Sequence, residues 1–323
     1  MQRLNALILL TILISFSISG QINESIKQIV TRYPTSISNC EKIAKRINSD
    51  FNSEHDKLGA IYVWITSNIS YDVKSANSKK KKDRYTYSYR TKEEKARKEK
   101  RYNNKTIKRT LRKRKAVCDG YSRLFKRLCD LTNIECVIVT GTSKTKKSEI
   151  GKSPKRNRHA WNAAKVNNRW ELIDVTWGAG FVESKKFFKR YTEDYFCSNP
   201  EMFFLKHYPK DTRWLFTKKT KEDFANLPLY YSSYYKSEIK FNSSYSGVIE
   251  SVENDLVHFK VDANGELPYL TYAFNNDKYS KKPDIEYNAD EILFSIPLEN
   301  RKKGYLTLYY RHKAIVTYKL NLR

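Results

Sequence analysis

Three residues of this chain are of the types that acyl transfer through a thiol requires: Cys118, His159 and Asp174. Cys118 opens the run Cys-Asp-Gly-Tyr-Ser, and Leu124, Phe125, Leu128 and Leu131 follow at helical spacing, which predicts a helix that starts at the cysteine. A cysteine in the first turn faces unpaired backbone N–H groups and the positive end of the helix dipole, and both favour thiolate over thiol. The same N–H groups can stabilise an oxyanion on an attacked carbonyl.

Turn chemistry places the other two. His159 to Val166 and Arg169 to Thr176 read as strands rich in β-branched and aromatic residues, and they flank Asn167-Asn168. Asparagine tolerates positive φ, so the dipeptide suits a two-residue hairpin turn. Such a turn pairs Val166 with Arg169 and sets His159 opposite Thr176. Asp174, two residues away, then shares the face of His159 as a diagonal neighbour, within reach across about 7 Å. An aspartate on one imidazole nitrogen, with the other nitrogen facing a thiol, is an orienter–base–nucleophile arrangement.

Stepping outward, the elements that must carry these groups can also be read. Ile26 to Tyr33 and Cys40 to Ile47 read as short amphipathic helices. A third helix begins near Ser53 or Asp56 and carries Leu58, Ile61, Tyr62 and Ile65 on one side, with Trp64 read as core. After the Cys118 helix comes a strand from Glu135 to Gly141 and then the hairpin. Residues 181 to 230 are aromatic-rich and broken by Pro200, Pro209 and Pro228, so they are expected to wrap the core and border a substrate cleft. His207 lies there with no thiol or carboxylate near it in sequence, and reads as structural. From about Ser233 the pattern changes to alternating runs: Gly247 to Glu253, Leu256 to Val261, Tyr269 to Phe274, Ile292 to Ile296, Tyr305 to Tyr310 and Ala314 to Leu320. Turn residues separate them, which predicts a small β-sandwich of accessory character over 231–323.

The formal charge of +27 is concentrated near the three residues. Residues 74 to 115 hold twenty Lys or Arg against four Asp or Glu, and Lys144 to Arg158 hold seven against Glu149. These runs read either as a solvated, partly helical insertion, at least part of it mobile, or as an electropositive rim for anionic glycan, lipid head groups or acidic peptides. Nucleic acid is the less favoured partner, because the N-terminus reads as an export signal. Arg3, the apolar run Ala6 to Ile14 and the small residues Ser17 to Gly20 form a secretory signal over 1–20, cut near Gly20–Gln21. The mature chain is therefore expected outside the cytoplasm, periplasmic, secreted or at the cell surface, with no membrane span after signal removal. Five cysteines leave at least one without an intramolecular partner, as a thiol enzyme requires. Cys129 and Cys136 read either as a pair or as ordinary buried thiols, the reading favoured for all four of Cys40, Cys129, Cys136 and Cys197. No Cys/His spacing resembles a zinc site, no calcium signature is visible, and no metal or cofactor is expected.

Four blocks occur in order: Ala60-Ile61-Tyr62-Val63-Trp64-Ile65 through Ile69-Ser70-Tyr71-Asp72; Val117-Cys118-Asp119-Gly120-Tyr121-Ser122; His159-Ala160-Trp161-Asn162; and Trp170-Glu171-Leu172-Ile173-Asp174-Val175-Thr176-Trp177. Over about residues 40 to 230 the chain resembles the transglutaminase-like superfamily, and within it the kyphoscoliosis-peptidase branch. Gly178-Ala179-Gly180-Phe181, Asn199-Pro200-Glu201 and His207-Tyr208-Pro209 add to that likeness. The resemblance implies an α+β fold with a papain-like core over 21–230, and a catalytic triad of Cys118, His159 and Asp174. It implies a cysteine peptidase or amidase acting on protein or peptide, with cell-wall peptide among the candidates. A crosslinking transglutaminase with the same triad, or a non-catalytic scaffold binding anionic surfaces through residues 74–115, stands as the alternative.

Overall fold

The computed structural model describes residues 21–78, 88–237, 239–241, 246–263, 265–288 and 291–323. The signal segment read over 1–20 and part of the basic insertion, 79–87, lie outside the described residues.

Three helices lead: α1 (Glu24–Thr31), α2 (Cys40–Asp50) and α3 (Glu54–Asn68). Asn23, Asn39 and Ser53 cap them, each side-chain oxygen accepting from a first-turn N–H. Every residue from Leu58 to Thr66 is buried, so α3 is apolar all round and forms the central pillar, not a surface helix. Strand β1 (Ser70–Tyr71) and helix α4 (Val73–Ala76) follow, then α5 (Lys92–Lys113), β2 (Lys115–Ala116) and α6 (Cys118–Leu131). Next come β3 (Cys136–Ser143), β4 (His159–Val166), β5 (Arg169–Ile173), α7 (Val175–Gly178), the hairpin β6 (Gly180–Glu183) and β7 (Lys186–Lys189), α8 (Pro200–Phe204), β8 (His207–Pro209), α9 (Lys221–Asn226) and β9 (Leu229–Tyr230).

Strands β5, β4, β3 and β8 form one antiparallel sheet in that order. One face packs on α6 and α3; the other is covered by Trp161, Leu172, Tyr195 and Phe203. With both faces covered, six of the first six β4 residues are buried. This is the α+β, papain-like core expected from the sequence.

The basic insertion is more ordered than its composition suggests. Its described part is dominated by α5, a 22-residue helix capped by Thr91. Its two ends are pinned by a parallel ladder, Ser70 to Lys115 and Tyr71 to Ala116. Thr106, Thr110 and Leu111 are buried against the core, while the lysines and arginines face outward. A Cβ on Gly120 would lie 2.7 Å from both Ala116 Cβ and Thr110 Oγ1, so glycine is what lets α5 seat against the first turn of α6.

The C-terminal part is a two-sheet sandwich. Strands β10 (Lys240–Phe241), β11 (Val248–Ile249), β12 (Leu256–Asp262), β13 (Leu270–Phe274), β14 (Asp284–Tyr287), β15 (Ile292–Pro297), β16 (Lys303–Tyr310) and β17 (Lys313–Asn321) divide into β10-β12-β15-β14 and β11-β17-β16-β13. Alternating residues such as Val257, Phe259 and Val261, with Ile292, Phe294 and Ile296 opposite, fill its core. Strand β9 pairs with β17 and ties the sandwich to the first sheet's surroundings. No helix among the described residues is long and apolar enough to cross a membrane.

Candidate active site

Cys118 is the first residue of α6, with Val117 as its N-cap and no side-chain capping bond. The exposed N–H groups of that turn therefore face the space beside the sulfur. The Asn162 side chain on β4 donates to the carbonyls of Ser122 at 3.1 Å and Val137 at 3.2 Å, fixing the start of α6 against the sheet. Cys118 Sγ lies 4.0 Å from the Arg158 carbonyl oxygen, immediately before His159.

His159 begins β4, where it pairs with Gly141 of β3. Its Nε2 lies 2.5 Å from Asp174 Oδ2, and the ring lines the same cleft as the Cys118 thiol, whose proximity favours the charged imidazole. Because Nε2 is committed to the carboxylate, Nδ1 is the nitrogen left for sulfur. The three residues that the sequence singled out are thus brought together.

The route by which Asp174 arrives differs from the expected register. The turn pairs Val166 with Arg169 as anticipated, with Asn167 and Asn168 both at positive φ. The strand, however, ends at Ile173 and does not run to Thr176, so His159 has no partner on β5. Asp174 leaves the sheet and caps α7: its Oδ1 accepts the N–H groups of Thr176 at 2.9 Å and Trp177 at 3.1 Å. That capping bond turns Oδ2 directly onto the imidazole, a closer approach than a diagonal strand pair allows. The physical reason is the aspartate itself, which satisfies a helix start better than a strand interior.

His207 was read as structural for want of a carboxylate nearby, and the structure supplies that carboxylate. Strand β8 pairs antiparallel with β3, with Ser143 opposite His207, and carries the ring into the site. Its Nε2 lies 3.0 Å from the same Asp174 Oδ2, and the residue is 1% exposed. Chain separation of 33 residues through irregular sequence hid this contact. Gly141 makes it possible, since a Cβ there would lie 2.2 Å from the Tyr208 carbonyl and 2.5 Å from the Trp161 ring.

The electrostatics are set by one buried carboxylate between two imidazoles. Burial alone would raise Asp174, but the charge of His159 and hydrogen bonds from both histidines hold it well below the usual carboxylate range. Burial alone would lower His159; the Asp174 charge, their hydrogen bond and the thiol outweigh that and lift it to about 10. His207 goes the other way: burial pushes it down to about 4 against the pull of Asp174, so it is neutral and donates. His159, Asp174 and His207 offer donor atoms within 4.8 Å of one another, close enough for a cation in principle. Both Nε2 atoms are already spent on one carboxylate oxygen, an arrangement that serves proton handling. The other thiols differ sharply from a nucleophile's setting: burial pushes Cys40 up to about 12, and Cys129 and Cys197 well above the ordinary range.

The site opens into a cleft of about 510 Å³. Tyr71, Trp177, the β6–β7 hairpin through Phe181 and Phe187, and the Leu229–Ser232 connection line it beside Cys118 and His159. Aromatic-rich 181–230 therefore does border the cleft. Trp64 does not: it is fully buried in the core, with the Arg114 guanidinium stacked 5.2 Å from its ring centre.

Comparison with known proteins agrees with this geometry. Residues 41–175 match the transglutaminase-like superfamily and form a domain of that type. The mouse kyphoscoliosis peptidase is 32% identical over 206 residues, covering 62% of this chain and 27% of that protein. The human kyphoscoliosis peptidase is 30% identical over 265 residues, 77% of this chain and 37% of its own length. Hillarin of Drosophila melanogaster is 26% identical over 189 residues, 53% and 23% of the respective chains. The chain thus spans roughly a third or less of these relatives, with all of their remaining length outside the match.

Proposed function

From a transglutaminase-like domain with a thiol, an imidazole and a buried carboxylate in one cleft, we propose an exported cysteine hydrolase that cleaves amide bonds in proteins or peptides. The observation that carries this reading is that Cys118 and His159 line one cleft while the Asp174 carboxylate lies 2.5 Å from the ring.

In the proposed reaction the proton given up by Cys118 already rests on His159 Nδ1, as the raised proton affinity of that ring requires, and Sγ attacks the carbonyl carbon as thiolate. The N–H groups of the first α6 turn receive the developing oxyanion. His159 then gives its proton to the leaving amine, and a thioester on Cys118 remains. Water attacks that thioester while His159, now neutral, takes a proton from it, releasing the acid and restoring the thiolate beside the charged ring. Asp174 holds the ring and stabilises the imidazolium. His207 acts through Asp174 as a positioning residue, donating the second hydrogen bond that fixes Oδ2. The similarity to kyphoscoliosis peptidases supports hydrolysis over amine transfer. Export rests on the N-terminal segment read in the sequence.

The test is labelling with a thiol alkylator at near-neutral pH, followed by a mixed peptide library offered with and without an added primary amine. Wild type should be labelled on Cys118 and the Cys118→Ala variant spared, since burial holds Cys40, Cys129 and Cys197 protonated. Products should be free acids even with amine present. Equal labelling of both proteins contradicts the mechanism; amine adducts in place of acids would reassign the enzyme as a transferase.

A further inference from the structure

The cleft contains a cation that the mechanism does not use. Lys206 joins α8 to β8, immediately before His207, and lines the cleft with Cys118 and His159. Its side chain is 7% exposed. Buried lysines are normally paired, because an ammonium taken out of water needs another charge or several acceptors. Lys144, the other deeply buried lysine, illustrates the rule: its ammonium donates to the carbonyls of Phe224 at 2.6 Å, Ala225 at 3.0 Å and Leu227 at 2.7 Å. Lys206 has no such set among the described residues. Its Nζ lies 4.9 Å over the Trp177 ring, which offers a π face but no hydrogen-bond acceptor. Burial is the one influence acting on its proton affinity, and it lowers it to about 8.

The rest of the lining points the same way. Among the described residues of the cleft there is no aspartate or glutamate, whereas Arg158, whose backbone carbonyl lies 4.0 Å from the sulfur, also lines it. An ammonium held nine-tenths out of water, open to a substrate cleft and facing no protein carboxylate, is a half-made ion pair.

We propose that Lys206 is a specificity residue that pairs with a carboxylate of the substrate, so that this cleft selects acyl donors carrying an acidic group close to the scissile amide. This rests on the thiol-hydrolase reading of the same cleft and narrows its substrate class. Trp177 positions the ammonium by its ring face, and the neutral His207 beside it adds no competing positive charge. The carboxylate can come from an acidic side chain or from a chain terminus, and both offer the same two oxygens.

The test compares alkylation of the full exported protein by iodoacetate with alkylation by its neutral isostere iodoacetamide, reading Cys118 by mass spectrometry. The iodoacetate-to-iodoacetamide rate ratio should fall about tenfold in Lys206→Met, the factor expected for loss of one ion pair of about 1.4 kcal/mol. Lys108→Met, which removes one exposed charge from α5, should leave the ratio unchanged. An unchanged ratio in Lys206→Met, or an equal fall in Lys108→Met, overturns the proposal. No alkylation of Cys118 by iodoacetamide would instead sink the thiol mechanism. The pairing is then read without the thiol, by tryptophan fluorescence of Cys118→Ala titrated with N-acetylglutamate and N-acetylglutamine. Saturable binding of the acid alone, lost in the Lys206→Met background, upholds it; equal binding of both, or of neither, refutes it. Peptides with Glu against Gln at each position, and free-acid against amide ends, tell a side-chain carboxylate from a terminal one.

Discussion

At the scale of single residues, Asp174 organises the site because its carboxylate accepts four hydrogen bonds that serve two tasks. Two hold the start of α7 and two hold imidazoles. Replacing His207 by Phe removes one ring bond and leaves Oδ2 freer to rotate. Turnover should drop about tenfold, the value of one lost charged hydrogen bond. Gln, which restores a donor, should recover most of it, and the recovery is what separates positioning from mere packing. His207 also makes an acid-side prediction. Its folded proton affinity sits near 4 against an ordinary value of 6.5, so the unfolded chain binds the extra proton between those values. The contribution of His207 to stability is therefore complete above about pH 6.5 and falls as pH drops towards about 4, by up to about 1.4 kcal/mol per pH unit. Denaturant midpoints measured across that window should slope steeply in wild type and less in His207→Gln. Cys118, His159 and Asp174 were legible because each sits in a local pattern: a helix start, a hairpin, a strand end. His207 and Lys206 were not, since only the pairing of β8 with β3 brings them in.

At the scale of elements, the helix that carries Cys118 depends on its neighbours for its place. The basic insertion was expected to be partly helical, and α5 lies against α6 with Tyr102 donating to Asp119 at 3.0 Å and the Arg123 guanidinium 4.7 Å from the Tyr102 ring centre. Low apolar content hid this, because only Thr106, Thr110 and Leu111 are buried among 22 helical residues. Gly120→Ala tests the packing. Alanine favours a helix by up to about 1 kcal/mol over glycine, but here its methyl meets two atoms at 2.7 Å. Overpacking should win, giving a net loss of about 1–3 kcal/mol in equilibrium unfolding. A gain in stability would mean that α5 stands off from α6. Among the strands, long alternating runs such as Leu256–Asp262 and Ile292–Pro297 were visible in the sequence. The edge strands Lys240–Phe241 and Asp284–Tyr287 were not, because an edge strand with one partner and exposed residues carries little period-two signal.

At the scale of the whole molecule, the sandwich does more than follow the first unit. Strand β9 pairs with β17, and Leu229 to Ser232 form one wall of the cleft, so substrate access is shaped by the seam between the two parts. The charge has a comparable reach: residues 74–115 contribute +16 of the net +27, and α5 presents its described share outward. We propose that this surface holds the protein on anionic glycan or lipid. Retention on heparin-agarose should weaken steeply with salt, since exposed charges are screened beyond about 8 Å at physiological ionic strength. A variant with Lys92, Lys95, Lys98, Lys105 and Lys108 changed to Gln should elute at clearly lower salt; unchanged elution would remove α5 from that role. All of these proposals return to the imidazole beside the sulfur. The most direct measurement is the rate at which iodoacetamide labels Cys118 at pH 7 in wild type and in His159→Gln. The wild-type rate should exceed that of the variant at least about tenfold, as expected when a charged imidazole stabilises the thiolate. Equal rates would contradict a working Cys118–His159 pair.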